Sequence, residues 1–239
     1  MTMLRLFRPA VLVLCLGVSP TTWASAQNPD TRPTIAVLYF TNSALIRHAD
    51  YDPLSKGITD MLITQFSTSP GLRVVERDRL QQLIQEQDLS AGKRVDEATA
   101  VRLGKILGVH HLVMGGFVID PKERMRLDVR SVDVETSRVE YVETVAGKAE
   151  DVLDLVDQLG RKVAKGLKLP PMPAPASQPT SRKTSKSDQL QAVILLSRAL
   201  EREDRGDRAG AVALYREALQ VYPEYDRAKV LLASATGAR

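Results

Sequence analysis

Few side chains in this sequence could do chemistry. His110 and His111 are adjacent, and at the start of a strand neighbouring side chains point to opposite faces, so the pair cannot ligate one metal from one side. His48 precedes Asp50 and Asp52; the three could loosely hold a cation, but surface polarity ahead of a helix start explains them more simply. Ala91-Gly92-Lys93 lacks the glycine five positions earlier that a phosphate loop needs, and no Gly-x-Gly-x-x-Gly occurs. Gly115-Gly116 would let backbone approach a ligand or another chain, with a β-bulge as the commoner cause. Glu76 and Arg77 read as members of structural ion pairs rather than as an acid and a base. No serine stands in Gly-x-Ser-x-Gly, and the single cysteine, Cys15, falls in a leader sequence. The sequence therefore predicts no catalytic residue, no cofactor and no metal site.

Arg5 and Arg8, the apolar run Ala10 to Val18 and the small residues Ala24-Ser25-Ala26 form a secretory signal peptide, residues 1–26, with cleavage expected after Ala26. Its apolar run is about half the ~20 residues that span a bilayer, and no later segment approaches that length. Leu14 stands before Cys15 where a lipid-attachment site would want a small residue. The mature chain is expected to be exported, without a thiol and without a transmembrane segment. The formal charge of +4 is carried by the two ends, since residues 27–168 hold 20 basic against 21 acidic side chains. That balance offers no basic face for nucleic acid.

The elements that would position any site follow from periodicity. Thr34 to Asn42 is an apolar, β-rich run that predicts a buried central strand. Asp52-Pro53 starts a helix with Asp52 as its cap, and Leu54, Ile58, Met61, Leu62 and Phe66 form one stripe. Leu72 to Val75 is a short strand, which completes a right-handed parallel unit. Asp78 and Gln81 predict a capping box for the next helix. After a polar loop over Leu89 to Val95, Asp96 caps a third helix with Ala100, Leu103, Ile106 and Leu107 inward and Gly108 as its stop. His111 to Ile119 is a second apolar strand, Met125–Val134 and Arg138–Val145 form an antiparallel hairpin at a solvated sheet edge, and Val152 to Leu167 is an amphipathic helix. Residues 169–187, rich in Pro, Ser, Thr and Lys, predict an extended, solvated linker. Residues 188–239 are helical in pattern, turning at Gly206-Asp207 and breaking at Pro223.

Four words stand in order along the first part: Ile35-Ala-Val-Leu-Tyr-Phe, Leu72-Arg-Val-Val-Glu-Arg, Leu103-Gly-Lys-Ile-Leu-Gly-Val and Leu112-Val-Met-Gly-Gly-Phe. Over about Pro33 to Leu167 this series resembles the CsgG-like family, which includes FlgO and LpoB, and is similar to the TolB amino-terminal domain. The resemblance implies a mixed sheet flanked by helices over residues 27–168, and an envelope protein acting through protein contacts. Gly206, Ala211, Tyr215, Ala218 and Pro223 resemble a tetratricopeptide repeat, whose shallow groove would be lined by Leu195, Tyr215 and Tyr222. Ordinary core packing is the competing reading of these three.

The expectation is a non-catalytic adaptor or assembly factor, periplasmic or outer-membrane associated, that binds other envelope proteins; a homo-oligomer is compatible with it. A curli-type secretion-channel subunit is the first alternative, but the hairpin carries Arg126, Asp128, Arg130, Asp133, Glu135, Arg138, Glu140 and Glu143, which a lipid-facing strand disfavours. A ligand sensor or enzyme with a site between the Phe40 end of the first strand and Gly115 is the second.

Overall fold

The run from Thr34 is buried but is not one strand. The computed structural model describes residues 30–86, 96–173 and 184–237, with β1 at Thr34–Val37 and β2 at Thr41–Asn42. After a short helix α1, His48–Tyr51, the first turn of α2, Leu54–Ser67, takes up the backbone between the two strands. The Phe40 N–H donates to the Ser55 carbonyl at 3.3 Å, and Thr59 Oγ1 donates to the Leu38 carbonyl at 2.9 Å. A helix thus supplies partners for backbone groups that the break takes out of the ladder.

The chain continues through β3 (Arg73–Val74), α3 (Arg77–Glu86), α4 (Glu97–Leu107), β4 (His111–Ile119), β5 (Arg124–Asp133), β6 (Arg138–Lys148) and α5 (Val152–Gly166). The sheet runs β3-β1-β4-β5-β6, with β2 pairing β4. β1 lies parallel to β3 and β4, and β4, β5 and β6 run antiparallel. The fold is thus mixed α/β, as expected, but β4 rather than the first strand is central. Its nine residues pair with β1, β2 and β5.

Each sheet face has its own core. α2 and α5 cover one, where Ile35, Val37, Val113, Phe117, Leu127 and Val145 meet Ile58, Leu62, Val156 and Leu159. α3 and α4 cover part of the other, packing Leu80, Leu83, Ala100 and Leu103 on Ala36, Leu38, Leu112 and Val132. The α4 cap matches its sequence, with Asp96 accepting from the Thr99 N–H and Gly108 left-handed at φ 65°. Three local expectations need correction. Asp52 makes no cap bond to α2 and instead accepts from Asn42 Nδ2 at 3.4 Å. Gln81 closes no capping box because its Oε1 is taken by the Tyr39 hydroxyl at 2.7 Å. Ile106 is 49% exposed, and Gly104 takes the inward position against Val134, where a Cβ would lie 2.4 Å from that side chain.

The remaining helices, α6 (Lys186–Asp204), α7 (Arg208–Val221) and α8 (Asp226–Thr236), form a layer on the outer side of α2. Gly206 turns α6 into α7 at φ 77°, a conformation that favours glycine, and Asp207 caps α7 through the Gly210 N–H. α2 and α6 approach so closely that a Cβ at Gly57 would lie 1.9 Å from Ser197 Oγ. At the start of the expected linker, Leu169 and Met172 pack against the core and the Leu169 N–H donates to Ala164, so this stretch is not extended into solvent. The expected leader with Cys15 and Ala26, residues 87–95 with Gly92 and Lys93, and residues 174–183 of the expected linker lie outside the described residues.

Buried charges stitch the seam between α2 and α6–α8. Lys56 and Arg77 both donate to Asp204, and all three side chains are at most 11% exposed. Arg77 also reaches Glu203 at 3.4 Å, which accepts the Tyr215 hydroxyl at 2.9 Å. Asp60, with no exposure, receives Arg227 in bidentate fashion, 2.7 Å at Nε. The expectation that Arg77 serves a structural ion pair is met, with partners that lie more than 120 positions away.

Removing one member of a buried ion set strands the others, at roughly 3–5 kcal/mol. Asp204→Ala is therefore expected to lower the urea midpoint by about 3 kcal/mol equivalent with an unchanged slope, the lower figure because Glu203 still serves Arg77. A second expectation concerns acid. The Gly210 N–H, with Arg202 nearby, holds the Asp207 carboxyl below its usual value, and the Thr99 and Thr136 N–H groups do the same for Asp96 and Asp133. Depressed carboxylates lend stability above the ordinary value of 3.8 that is lost as pH falls through the lower folded values. Asp207→Asn, which keeps the cap acceptor and removes its charge, should lower stability slightly at pH 7 and flatten its decline between about pH 5 and 2, as read by urea unfolding across that range.

Candidate functional site

α3 and α4 cover one half of their sheet face and leave the other half open. There Met114, Gly116 and Val118 of β4, Arg126, Asp128 and Arg130 of β5, and Val139 and Val142 of β6 line a groove of about 620 Å³, walled on its far side by Tyr39, Thr41 and Ser43. The alternation of β5 explains the charges: Met125, Leu127 and Val129 fill the core, so the even-numbered residues between them face out. Val142 is 66% exposed and Val139 38%. Around them Arg126 pairs with Asp128 at 2.9 Å, Thr144 Oγ1 donates to Asp128 at 2.8 Å, and Arg130 reaches Glu97 at 3.5 Å. The groove thus has apolar β-branched residues set among charges that are already partnered.

β6 is the sheet edge, as its sequence predicts, and is held from behind. The Tyr141 hydroxyl donates to Glu143 at 2.8 Å, which also receives Lys162 of α5 at 3.2 Å. The Thr144 N–H, followed by the Tyr141 hydroxyl, holds the Glu143 carboxyl below its usual value, while burial and the Glu143 contact push the Tyr141 phenol up to about 12. The hairpin is consequently anchored by α5 on one face and open on the other. Gly115 and Gly116 make this geometry possible without the expected bulge. The β4–β5 register is continuous, and the irregularity lies at Ser131/Val132 against β6. A Cβ at Gly115 would meet the Asp128 carbonyl at 2.5 Å and the Phe40 ring at 2.8 Å, so the Phe40 ring packs directly on Gly115, and the groove at this end of the first strand is lined by Tyr39, Thr41 and Gly115.

Other residues singled out in the sequence are dispersed. His110 Nδ1 accepts the Thr34 N–H at 3.1 Å, whereas His111 contacts Glu140 at 2.8 Å. Asp50 pairs with Arg47 and Asp52 turns to Asn42, away from any shared site with His48. Leu195, Tyr215 and Tyr222 are 6%, 0% and 3% exposed. Tyr215 is inside the helical layer, bonded to Glu203; Tyr222 stacks on Tyr225 at 5.4 Å; Leu195 edges a separate cleft with Arg47 and Arg198. The three do not line a common open groove, because their own chain fills the space between them. Sequence reasoning missed Val139 and Val142. Their signal was two β-branched residues alternating with charge in a strand whose partner strand already supplies the core.

No curated protein sequence matches the chain. Among solved structures, the LpoB carboxy-terminal domain from Salmonella enterica is 12% identical, covering 49% of this chain and 83% of that one at a TM-score of 0.39. TolB from Acinetobacter baumannii is 15% identical over 61% of this chain and 31% of its own, with a TM-score of 0.40. Lipoprotein GNA1162 from Neisseria meningitidis is 12% identical over 56% of this chain and 98% of its own, with a TM-score of 0.42. At these values the likenesses assign no function. Residues 18–120 match the family model described as curli production assembly/transport component CsgG, a stretch that holds β1 through β4 and the helices between them.

Proposed function

We propose that this protein is a non-catalytic adaptor or assembly factor of the bacterial cell envelope, exported to the periplasm and acting by protein–protein contact. The match of residues 18–120 to the CsgG family model carries this reading. One feature supports it: the charged residues around the open sheet face are paired with one another. The partner-facing surface is the groove of β4, β5 and β6, where exposed valines provide an apolar centre within a polar rim, the usual arrangement of an interface.

In this reading the tetratricopeptide-like pattern of α6–α8 serves an internal purpose. The small and aromatic positions, Ala211, Tyr215 and Ala218, are fully buried, and the layer acts as a cover for α2. No helix among the described residues is long and apolar enough to cross a membrane.

Site-specific photocrosslinking in cells tests the surface. A crosslinking residue at Val142 should give a discrete adduct with another envelope protein or a second copy, and one at Val230 on α8, also more than half exposed, should not. Adducts from Val230 alone, or none from Val142, would sink the proposal. Val142→Glu should abolish the adduct formed from a neighbouring probe at Val139 while leaving the melting temperature within about 2 °C, because surface changes of this kind move stability by ~0.5 kcal/mol or less.

A further inference from the structure

A second cavity lies on the opposite side of the molecule, at the seam where α2 and α5 meet the turn between α7 and α8. It is a cleft of about 320 Å³. Met61, Val156 and the stacked pair Tyr222 and Tyr225 supply its apolar walls. Two side chains of this cleft, Thr64 and Tyr225, have hydroxyl oxygens that are shielded from solvent and have no hydrogen-bond partner. Tyr225 is only 7% exposed. Buried polar atoms are nearly always bonded, so two orphans on side chains that line one cleft require an explanation. Gln65 has a third, Oε1, but it is packed against Gly160, where a Cβ would lie 2.0 Å away, and its amide already donates to Asp157.

Most charges around the cleft are committed. Arg227 is closed on Asp60, Asp157 receives Arg161 and Asp226 receives Lys229, while Glu224 accepts only the Thr184 hydroxyl at 3.5 Å. Among the described residues an anion would find no uncommitted cation there and would meet the Glu224 carboxylate. What remains without a partner is hydroxyl, which bonds neutral oxygen well. A lone water could bond these hydroxyls but would leave apolar walls wetted in a space about ten times its own liquid volume.

We propose that this cleft binds a small neutral ligand that joins an apolar body to a carbonyl or hydroxyl oxygen. The body lies against Tyr222, Met61 and Val156, and the oxygen bonds the Tyr225 and Thr64 hydroxyls. Both oxygens are sealed from solvent in the empty cleft, so entry requires the half-buried Met61, whose unbranched thioether adapts readily, to move aside. Burial and the nearby Asp60 carboxylate push the Tyr225 phenol well above its ordinary value, which keeps it a donor at any physiological pH. Because the cleft is built from α2 and α5 on one side and the α7–α8 turn on the other, an occupied site would fasten the helical layer to the sheet layers.

The test uses N-acetyl-phenylalaninamide as the probe and N-acetyl-phenylalanine, its carboxylate counterpart, as the comparison, titrated into the intact protein and read by the NMR methyl signals of Met61 and Val156. Saturable shifts with a millimolar dissociation constant are expected for the amide, and binding at least fivefold weaker for the carboxylate. Thr64→Val and Tyr225→Phe keep shape and remove one hydroxyl each. Each should weaken the amide about five- to tenfold, while the melting temperature stays level or rises because an unpaired buried hydroxyl is gone. Absence of saturable shifts at Met61 and Val156 up to tens of millimolar overturns the site. Equal affinity for amide and carboxylate overturns the neutral class of ligand. Unchanged affinity in both variants overturns the role of the hydroxyls, and if Tyr225→Phe fails to fold, Thr64→Val and the two probes still decide.

Discussion

Asp60 has no exposure to solvent, and its charge is compatible with that position because Arg227 closes on it with two hydrogen bonds. The same helix carries Lys56, 11% exposed at its side chain and satisfied by Asp204. α2 is thus apolar toward the sheet and charged toward a second protein layer instead of toward water. A buried charge without its partner costs several kcal/mol, so the sequence of α2 is intelligible only with α6 and α8 in place. The α/β part and the helical part are coupled through this requirement: Lys56 and Asp60 require Asp204 and Arg227, and Gly57 leaves room for Ser197.

The local chemistry of the sequence specified most elements, and long-range chemistry decided where it misled. Helix α4 was legible because Asp96 and Gly108 act on backbone within one turn. The β5–β6 hairpin was legible because alternation along β5 is a period-two signal that needs no knowledge of the partner strand. By contrast, Gln81 looked like half of a capping box and was claimed by Tyr39, 42 positions away. Thr34 to Asn42 looked continuous, yet the backbone between its two halves is bonded by Ser55 and Thr59 of a following helix. Periodicity reports which face of an element is apolar, but it does not report which other element reaches in to satisfy a particular oxygen.

The surfaces open to other molecules were the least legible. Tyr215 and Tyr222 stood out as aromatic positions of a helical repeat, and both are consumed by packing. Val139 and Val142 were overlooked beside the charges of their hairpin, although they are the exposed apolar residues of the open sheet face. An aromatic residue in a helical stripe is most often core, whereas an apolar residue on the far face of an edge strand has no core to join. The distinction depends on which sheet face the helices cover, and that is settled by the placement of α3 and α4 rather than by either strand.

β6 is an edge strand of eleven residues, long enough to be a hazard in any protein. An unpaired row of N–H and C=O groups of this length would ordinarily template the addition of further strands and lead to aggregation. Here Arg138, Glu140, Glu143 and Lys148 stand along it, so a second strand arriving in most registers would bring like charges together or strip water from ionised groups. The edge is therefore guarded while the face beside it is left apolar and accessible. A molecule that engages this sheet is directed to lie across its surface and is denied the option of extending it.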